Sequence, residues 1–280
     1  MREGQKNKLM FLPAMFVAGL MTFLFLTTGA SFTRAQATRN LTPLQVEIER
    51  QQQRLSSSDE EDRRDALMRL AAIRRAEASR VALPALSDPS PIVRVMAAKA
   101  ILALDPAESA AALLPLLNDK DEFVRREAAY ALGQTHSRTA TTALSERLLN
   151  DKEAGVRGAA AVALGKIADE AGVIALAGTL APELSAPAKS KRKREDNDFV
   201  LRAAAEALGR IKSRAGTQAL ISAVSNEKLS SDVRREAARA LGLIADPAAI
   251  PALKSVSTAA DPFLSQLAYE SLRKINRANP

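Results

Sequence analysis

The chain has 280 residues, of which 47% are hydrophobic and only 4% aromatic, a composition that suits closely packed helices better than a β-sandwich. It contains no cysteine and one histidine, His136, which excludes disulfides, thiolate metal sites, cysteine nucleophiles and multi-histidine metal sites. Two short segments, residues 1–37 and 189–194, account for the net charge of +8, so the charge does not indicate a nucleic-acid-binding face.

The N-terminal 37 residues predict an export signal. A basic start, MREGQKNK, precedes an apolar run of 18 residues from Leu9 to Leu26, and Ala35-Gln36-Ala37 has the form of a signal-peptidase site. The alternative is an uncleaved membrane anchor over residues 9–28, because 18 apolar residues just reach the length of a membrane span. In both cases we expect residues 38–280 to be exported, to the periplasm or outside the cell.

Helix-start signals follow from residue 42 onward. Thr42 and Gln45 have the spacing of a capping box. Asp105-Pro106 and Asp246-Pro247 each place a carboxylate before a proline, which suits the first turn of a helix. These signals predict helices that begin at residues 43, 106 and 247.

The chain then repeats one amphipathic helix, typified by DEFVRREAAYALGQT at Asp121 to Thr135. Counted from an anchor residue, positions 0, +4, +7 and +8 form its apolar face, and a second helix with its own leucines lies between copies. Glycine follows position +8 in four copies, where we expect the helix to end. About seven helix pairs are therefore predicted between residues 43 and 277, with no strand. The anchors are Asp62, Val93, Val124, Val156, Val200, Val233 and Leu264, at spacings of 31, 31, 32, 44, 33 and 31.

The pattern D-x4-VR-x2-AA-x2-ALG resembles the second helix of HEAT repeats, and the 31-residue period resembles the phycobilin-lyase type of HEAT-like repeat. The resemblance covers nearly all of the chain after residue 37 and implies an all-α, right-handed α-solenoid of about seven HEAT-like helix pairs.

The same resemblance implies a structural ladder, in which an aspartate in the turn and an arginine six positions later link adjacent repeats. The sixth copy keeps the arginine but offers Glu227 at seven positions, and Leu201 fills the arginine slot of the fifth copy. The matching residues are Asp88, Arg94, Asp119, Arg125, Asp151 and Arg157, together with Arg234.

The 44-residue spacing marks an insertion at residues 182–198, rich in proline, serine and basic residues. Its composition predicts a mobile, solvated loop. Docking to an anionic surface is the alternative function for it. Its basic residues are Lys189, Lys191, Arg192, Lys193 and Arg194.

In HEAT-like arrays the helices of the VR type line the concave face, so positions +2, +3 and +6 should point away from the core. Near the middle of the array these positions are mostly apolar, with charged positions around them, as a groove for a peptide or partner helix requires. The alternative is that some of them pack against the next repeat. The predicted partner-binding residues are Val95, Met96, Lys99, Tyr130, Ala159 and Val162.

Catalysis finds little support in the sequence. There is no G-x-S-x-G elbow, phosphate-binding glycine loop or acidic metal-binding loop. Deoxyhypusine hydroxylase uses HEAT-like repeats with His-Glu pairs, and this sequence has no such pair. The sequence therefore predicts an exported scaffold for a protein or peptide partner, without catalysis, cofactor, metal or nucleic acid. The alternative is an accessory or enzyme subunit of the phycobilin-lyase type.

Overall fold

A computed structural model describes residues 41–184 and 197–279. In these two ranges the regular structure is entirely helical, with fourteen α-helices and no strand. The α-helices are α1 Pro43–Arg54, α2 Glu60–Ile73, α3 Ala76–Ala82, α4 Pro91–Ala100, α5 Pro106–Leu113, α6 Glu122–Thr135, α7 Thr141–Asn150, α8 Ala154–Ile167, α9 Val173–Leu180, α10 Asp198–Ile211, α11 Thr217–Ser225, α12 Ser231–Ile244, α13 Ile250–Val256 and α14 Pro262–Ala278.

Short 3-10 helices extend or precede many of the odd-numbered helices. In the second and third pairs a proline at the first or second position of the 3-10 segment marks where α3 and α5 stop being α-helical. The 3-10 segments are Leu83–Ser87, Ile101–Ala103, Leu114–Asn118, Arg138–Ala140, Glu170–Gly172, Pro182–Leu184, Arg214–Gly216 and Pro247–Ala249.

Consecutive α-helices form seven pairs, from α1 with α2 to α13 with α14, and each pair packs on the next. The even-numbered helices carry the repeated motif and contact one another in an unbroken series from α2 to α14. We call this series the even layer and the odd-numbered helices the odd layer. The prediction of an all-α solenoid of seven helix pairs is confirmed.

The apolar core lies between the two layers, and the residue at position +8 of each even helix is its most regular member. Six of these seven residues are at most 1% exposed, whereas Leu272 in the last pair is only half-buried. Among the described residues no further pair packs on this one, which leaves its outer side open as at the end of a stacked array. Burial of each such side chain stabilises the fold by about 1.5–3 kcal/mol. The six buried residues are Leu70, Ile101, Leu132, Leu164, Leu208 and Leu241.

The glycines at position +9 do not end their helices, and that prediction is wrong. Each helix continues for two residues beyond its glycine. In the described residues, no glycine adopts a positive φ. The left-handed positions belong to Arg74, His136, Ala168, Lys212 and Ala245, the first residue after each of five even helices.

The glycines instead allow adjacent even helices to approach closely. A Cβ on Gly165 would lie 2.8 Å from the Cα of Ala207 in the next even helix, and a Cβ on Gly209 would lie 2.9 Å from that of Ala240. Real Cβ atoms do not approach a backbone atom so closely, so these positions require glycine for space rather than for a turn.

The helix-start signals are confirmed in part. Thr42 and Gln45 form the predicted capping box at the start of α1. The side chain of Asp246 accepts a hydrogen bond from the Ala248 N–H at 3.1 Å. Asp105 stands at the N-cap of α5, but its side chain accepts no cap hydrogen bond.

The predicted export signal at residues 1–37 and the five basic residues of the predicted loop lie outside the described residues. Of that insertion the structure describes the ends, a 3-10 helix at Pro182–Leu184 and the start of α10. None of the helices in the described part of the chain is both long and apolar enough to cross a membrane.

Candidate functional site

The arginine–aspartate ladder runs along the turns between pairs, with a register that differs from the predicted one. Arg94 donates two hydrogen bonds of 2.8 Å to the carboxylate of Asp119, which belongs to the following pair. Toward Asp88, six positions earlier, it donates only to the backbone carbonyl, at 2.8 Å. Arg125 bonds Asp151 in the same way, at 2.8 and 3.1 Å. Each arginine thus joins its own turn to the next one.

The first member of the ladder is Arg63, which was not predicted from the sequence. Arg63 donates to the two carboxylate oxygens of Asp88 at 2.8 and 3.0 Å. Arg63 directly follows the anchor Asp62. The predicted ladder arginines each follow a valine, so the VR pattern did not identify Arg63 as the arginine of the first pair. Arg157 donates to the carbonyl of Asp151 at 3.2 Å, which is the bond to its own turn.

The C-terminal pairs depart from the pattern. Arg234 donates to the carbonyl of Val224 at 3.1 Å and does not reach an aspartate of the next pair. The neighbouring Arg235 forms the link instead, with two bonds of 2.9 Å to Asp261. The ladder role predicted for Arg234 is therefore wrong and passes to Arg235.

The ladder carboxylates are ionised and structural. Burial opposes ionisation of Asp151, but the guanidinium of Arg125 and the N–H of Glu153 outweigh it and hold the pKa of Asp151 below its ordinary value. Asp88 and Asp119 have lowered pKa values for the same balance of causes. The hydrogen-bonding groups of these side chains are already used to hold successive pairs in register, so few of them are free to bind a ligand.

Four of the six predicted partner-binding residues reach the surface of the even layer. Lys99 is exposed, and Met96, Tyr130 and Val162 are half-buried. Val95 and Ala159 are 0% exposed. For these two the prediction is wrong, because a residue without exposed surface cannot line a docking surface.

The burial of Val95, at position +2 of α4, follows from how successive pairs overlap. Gly158 occupies this position in α8, and a Cβ there would lie 2.1 Å from Cε1 of Phe199, the residue before the next anchor. Phe199 therefore covers position +2 of the preceding pair. By the same register we infer that Phe123, which packs against the core, covers Val95.

Position +3 lies beside position +6 of the preceding pair. The ion pair between Lys99 Nζ and Glu127 Oε2, 3.2 Å long, fixes this register between α4 and α6. One pair further on, it places Tyr130 beside Ala159, which explains the burial of the alanine. We call the resulting apolar row the central strip, which comprises Tyr130, Ala159, Val162 and Ala203.

A shallow depression of about 30 Å³ lies next to the central strip, between α8 and α10. Small residues make its floor, since Gly165, Ala203 and Ala207 leave the space that larger side chains would fill. Its charged residues, at positions +6 and +10 of the even helices, were not predicted from the sequence. These are Lys166, Glu206 and Arg210.

A larger groove of about 460 Å³ lies between α10, α12 and α14. It is also on the even layer, because all of its lining residues belong to even helices. One apolar residue, Leu267, stands among charged ones. The others are Arg202, Asp232, Arg235, Glu236 and Arg239.

The chemistry that this surface offers is recognition. Burial raises the pKa of Tyr130 above its ordinary value, so its phenol stays neutral at physiological pH and can donate a hydrogen bond. His136 directly follows α6, with Nδ1 2.8 Å from the carbonyl oxygen of Lys166. In the described ranges no group of three or more His, Cys, Asp or Glu residues is arranged to hold a metal ion.

Comparisons with known proteins match this architecture. The family model for HEAT repeats matches residues 48–132, 79–165, 112–183 and 185–273, and no curated protein matches the chain. An engineered protein is similar at 25% identity and a TM-score of 0.51, over 82% of this chain and 68% of that one. YibA from Escherichia coli is similar at 18% identity and a TM-score of 0.50, over 82% and 92%. The complex of CpcE and CpcF of phycocyanin lyase from Nostoc sp. PCC7120 is similar at 22% identity and a TM-score of 0.46, over 88% and 91%.

Proposed function

The chain belongs to the HEAT-repeat family, and from this premise we propose that it is a scaffold that binds a protein or peptide partner through its even layer and has no catalytic activity of its own. The central strip is the observation that supports this proposal. Tyr130 and Val162 reach the surface of the even layer between the Lys99–Glu127 ion pair and the Arg210–Glu206 ion pair.

Such an arrangement suits an interface. Partly exposed apolar side chains that are held by a packed core lose little conformational entropy when a partner covers them. A tyrosine with a neutral phenol combines a large apolar area with one hydrogen bond, which is why tyrosine is frequent among the residues that dominate binding energy. The ion pairs on both sides would form the polar rim.

We further propose that the chain acts after export, with residues 1–37 as a cleaved signal or residues 9–28 as an anchor. The basic start, apolar run and small-x-small site support this. Intact-mass measurement of the protein isolated from its source tests it. A mass that begins at Thr38 supports cleavage, the full-length mass in a membrane fraction supports the anchor, and full-length protein in the cytosol contradicts export.

A photo-crosslinker tests the binding surface. We would place benzoylphenylalanine at Tyr130 in the even layer, and as a matched control at Leu149, which is 46% exposed on α7 in the odd layer. Both proteins would be irradiated in an extract of the source organism. We expect a discrete crosslinked partner from position 130 and none from position 149.

The variant Met96→Ala/Tyr130→Ala gives a second measurement. If the crosslinked partner binds the even layer, truncation of two interface residues should weaken its affinity about tenfold or more, with the helical circular dichroism signal unchanged. A crosslink from position 149 alone, or an affinity that the double substitution leaves unaltered, would remove the even layer as the binding surface.

A further inference from the structure

Two depressions lie on either side of α10, and each contains one cation without a counter-ion. In the shallow depression Arg210 is paired with Glu206 at 2.8 Å, whereas Lys166 forms no ion pair with any described residue. In the larger groove the unpaired cation is Arg202, which likewise has no ion-pair partner in the described ranges. Each depression therefore keeps one positive charge that a ligand could neutralise.

The remaining arginines of the groove are already neutralised and held in place. Arg235 bonds Asp261 through two contacts of 2.9 Å and lies 3.2 Å from Asp232. Its guanidinium also stacks over the ring of Phe263, 5.0 Å from the centroid. Arg239 is paired with Glu236, so the side of the groove formed by α12 consists of residues that are already ion-paired. A pre-organised wall beside one free guanidinium favours a discrete anion.

We propose that the partner presents an acidic segment that crosses α10, with one carboxylate bound by Lys166 and a second bound by Arg202. The inference rests on the proposed function and adds the chemistry of the partner to it. Between the two carboxylates an apolar side chain of the segment would cover Val162, which is half-buried. The fork of the Arg202 guanidinium can bind a carboxylate through two parallel hydrogen bonds.

The charge pattern favours a protein segment over a nucleic acid. Three carboxylates are interleaved with the cations on this surface, those of Glu206, Asp232 and Glu236. A phosphate backbone carries a negative charge at every nucleotide and would meet these carboxylates at close range. A peptide can place its acidic residues only at the two unpaired cations and apolar residues elsewhere.

Fluorescence anisotropy with three probes tests the proposal on the full chain. The probes are a twelve-residue peptide that alternates glutamate and leucine, the same peptide with glutamine for glutamate, and a twelve-nucleotide single-stranded DNA. We expect saturable binding of the glutamate peptide, at least tenfold weaker binding of the glutamine peptide, and weaker binding of the DNA. Lys166→Glu and Arg202→Glu should each reduce the affinity for the glutamate peptide about tenfold, since a like charge then faces the carboxylate.

The control is the double variant Arg214→Glu/Lys228→Glu, which changes two exposed cations away from the even helices and alters the net charge as much as Lys166→Glu/Arg202→Glu does. It should leave the affinity for the glutamate peptide unchanged. The proposal is overturned if the control reduces the affinity for the glutamate peptide as much as Lys166→Glu/Arg202→Glu does. It is also overturned if the glutamine peptide or the DNA binds as tightly as the glutamate peptide, or if the glutamate peptide does not bind. Crosslinking at Tyr130 together with any of these results would refute only the acidic segment and leave the scaffold function standing.

Discussion

Neighbouring pairs are held in register by different contacts in the N-terminal and C-terminal parts of the array. Between the first four pairs, bidentate ion pairs join successive turns, at Arg63–Asp88, Arg94–Asp119 and Arg125–Asp151. From the third pair to the sixth, the glycine at position +9 of each even helix allows the backbone of the next even helix to pack directly against it. The two devices coincide between the third and fourth pairs, where Arg125 and Gly133 both act, and again between the sixth and seventh pairs, where Arg235 bonds Asp261 and Gly242 packs on α14.

The difference shows that the repeated motif does not specify one packing solution. In the first two pairs, Ala71 and Leu102 occupy position +9 and place side chains between the even helices. There the arginine–aspartate ion pairs between the turns provide the specific contact. Where glycine occupies it, close contact fixes the spacing of the helices, and positions such as Leu201 can lose the ladder arginine. Ion pairs register a stack through directed bonds, and glycine contacts register it through shape.

The largest expected effect comes from breaking the ladder where it is most buried. Arg125→Ala should lower the free energy of unfolding by about 3 kcal/mol, because it leaves the carboxylate of Asp151, itself only 4% exposed, without its counter-ion. Arg234→Ala, at the same position of the sixth pair, should cost about 1 kcal/mol, since it removes a bond to a carbonyl. Urea denaturation of both variants measures the contrast.

Replacing both partners separates the ion pair from the packing. Arg125→Met with Asp151→Leu should recover part of the loss, because no buried charge then remains unpaired. The recovery should be incomplete, since Arg125 also donates to the carbonyls of Asp119 and Lys120. Equal costs for Arg125→Ala and Arg234→Ala would mean that the ladder is no stronger than the contacts of the C-terminal pairs.

The glycine contacts can be tested within one helix. Gly165→Ala should destabilise the protein by about 2 kcal/mol, because the new Cβ would press on the backbone of Ala207. Gly155→Ala in the same helix meets only Arg126, with Cδ at 3.6 Å, and should stabilise it by up to about 1 kcal/mol through helix propensity. Thermal unfolding reports both. Matching signs for the two substitutions would show that the close approach at position +9 is not what glycine provides.

The fold was predictable because the spacing of apolar residues within each repeat specifies it. The exposed residues of the even layer were harder to predict, because the overlap between successive pairs determines which side chains are covered. Positions 0, +4, +7 and +8 of a helix follow from geometry within a single repeat. Whether Val95 or Ala159 is exposed depends on which residue of the next pair lies over it, and that register is not visible in one copy. The role of Gly165 was misjudged for a related reason, since a glycine near a helix end fits a stop signal and a close contact equally well.

Acid should weaken the N-terminal pairs more than the C-terminal pairs. Asp88, Asp119 and Asp151 have folded pKa values below their ordinary value, so their contribution is fully present above the unfolded pKa of about 3.9 and is lost as the pH falls through the lowered folded values. We expect amide hydrogen exchange below pH 4 to rise first in α2, α4 and α6. The effect should be smaller than that of Arg125→Ala, because a protonated carboxyl still accepts hydrogen bonds.

Replacing the three aspartates by asparagine is the control for the pH dependence. It should lower stability at pH 7 and flatten its dependence below pH 4. If α10 and α12 open at the same pH as α4, the ladder does not set the acid sensitivity. Asp261 is the ladder carboxylate of the C-terminal pairs, and Arg235 lowers its pKa as well, so α14 should respond next.

The smallest effect concerns a feature that both regions share. Arg74 directly follows α2 and Ala245 directly follows α12, each with a left-handed φ, of 53° and 57°. That conformation costs a non-glycine residue about 1 kcal/mol, so Arg74→Gly and Ala245→Gly should each stabilise the protein by about 0.5–1 kcal/mol, whereas Ala111→Gly on the exposed side of α5 should destabilise it by a similar amount. Equal gains at the two helix ends would show that the turn after an even helix is strained alike beside the ladder and beside the glycine contacts. A gain at Ala245 alone would mean that the ladder turns already offset the cost, and the two devices would then differ in the turns as well as between the helices.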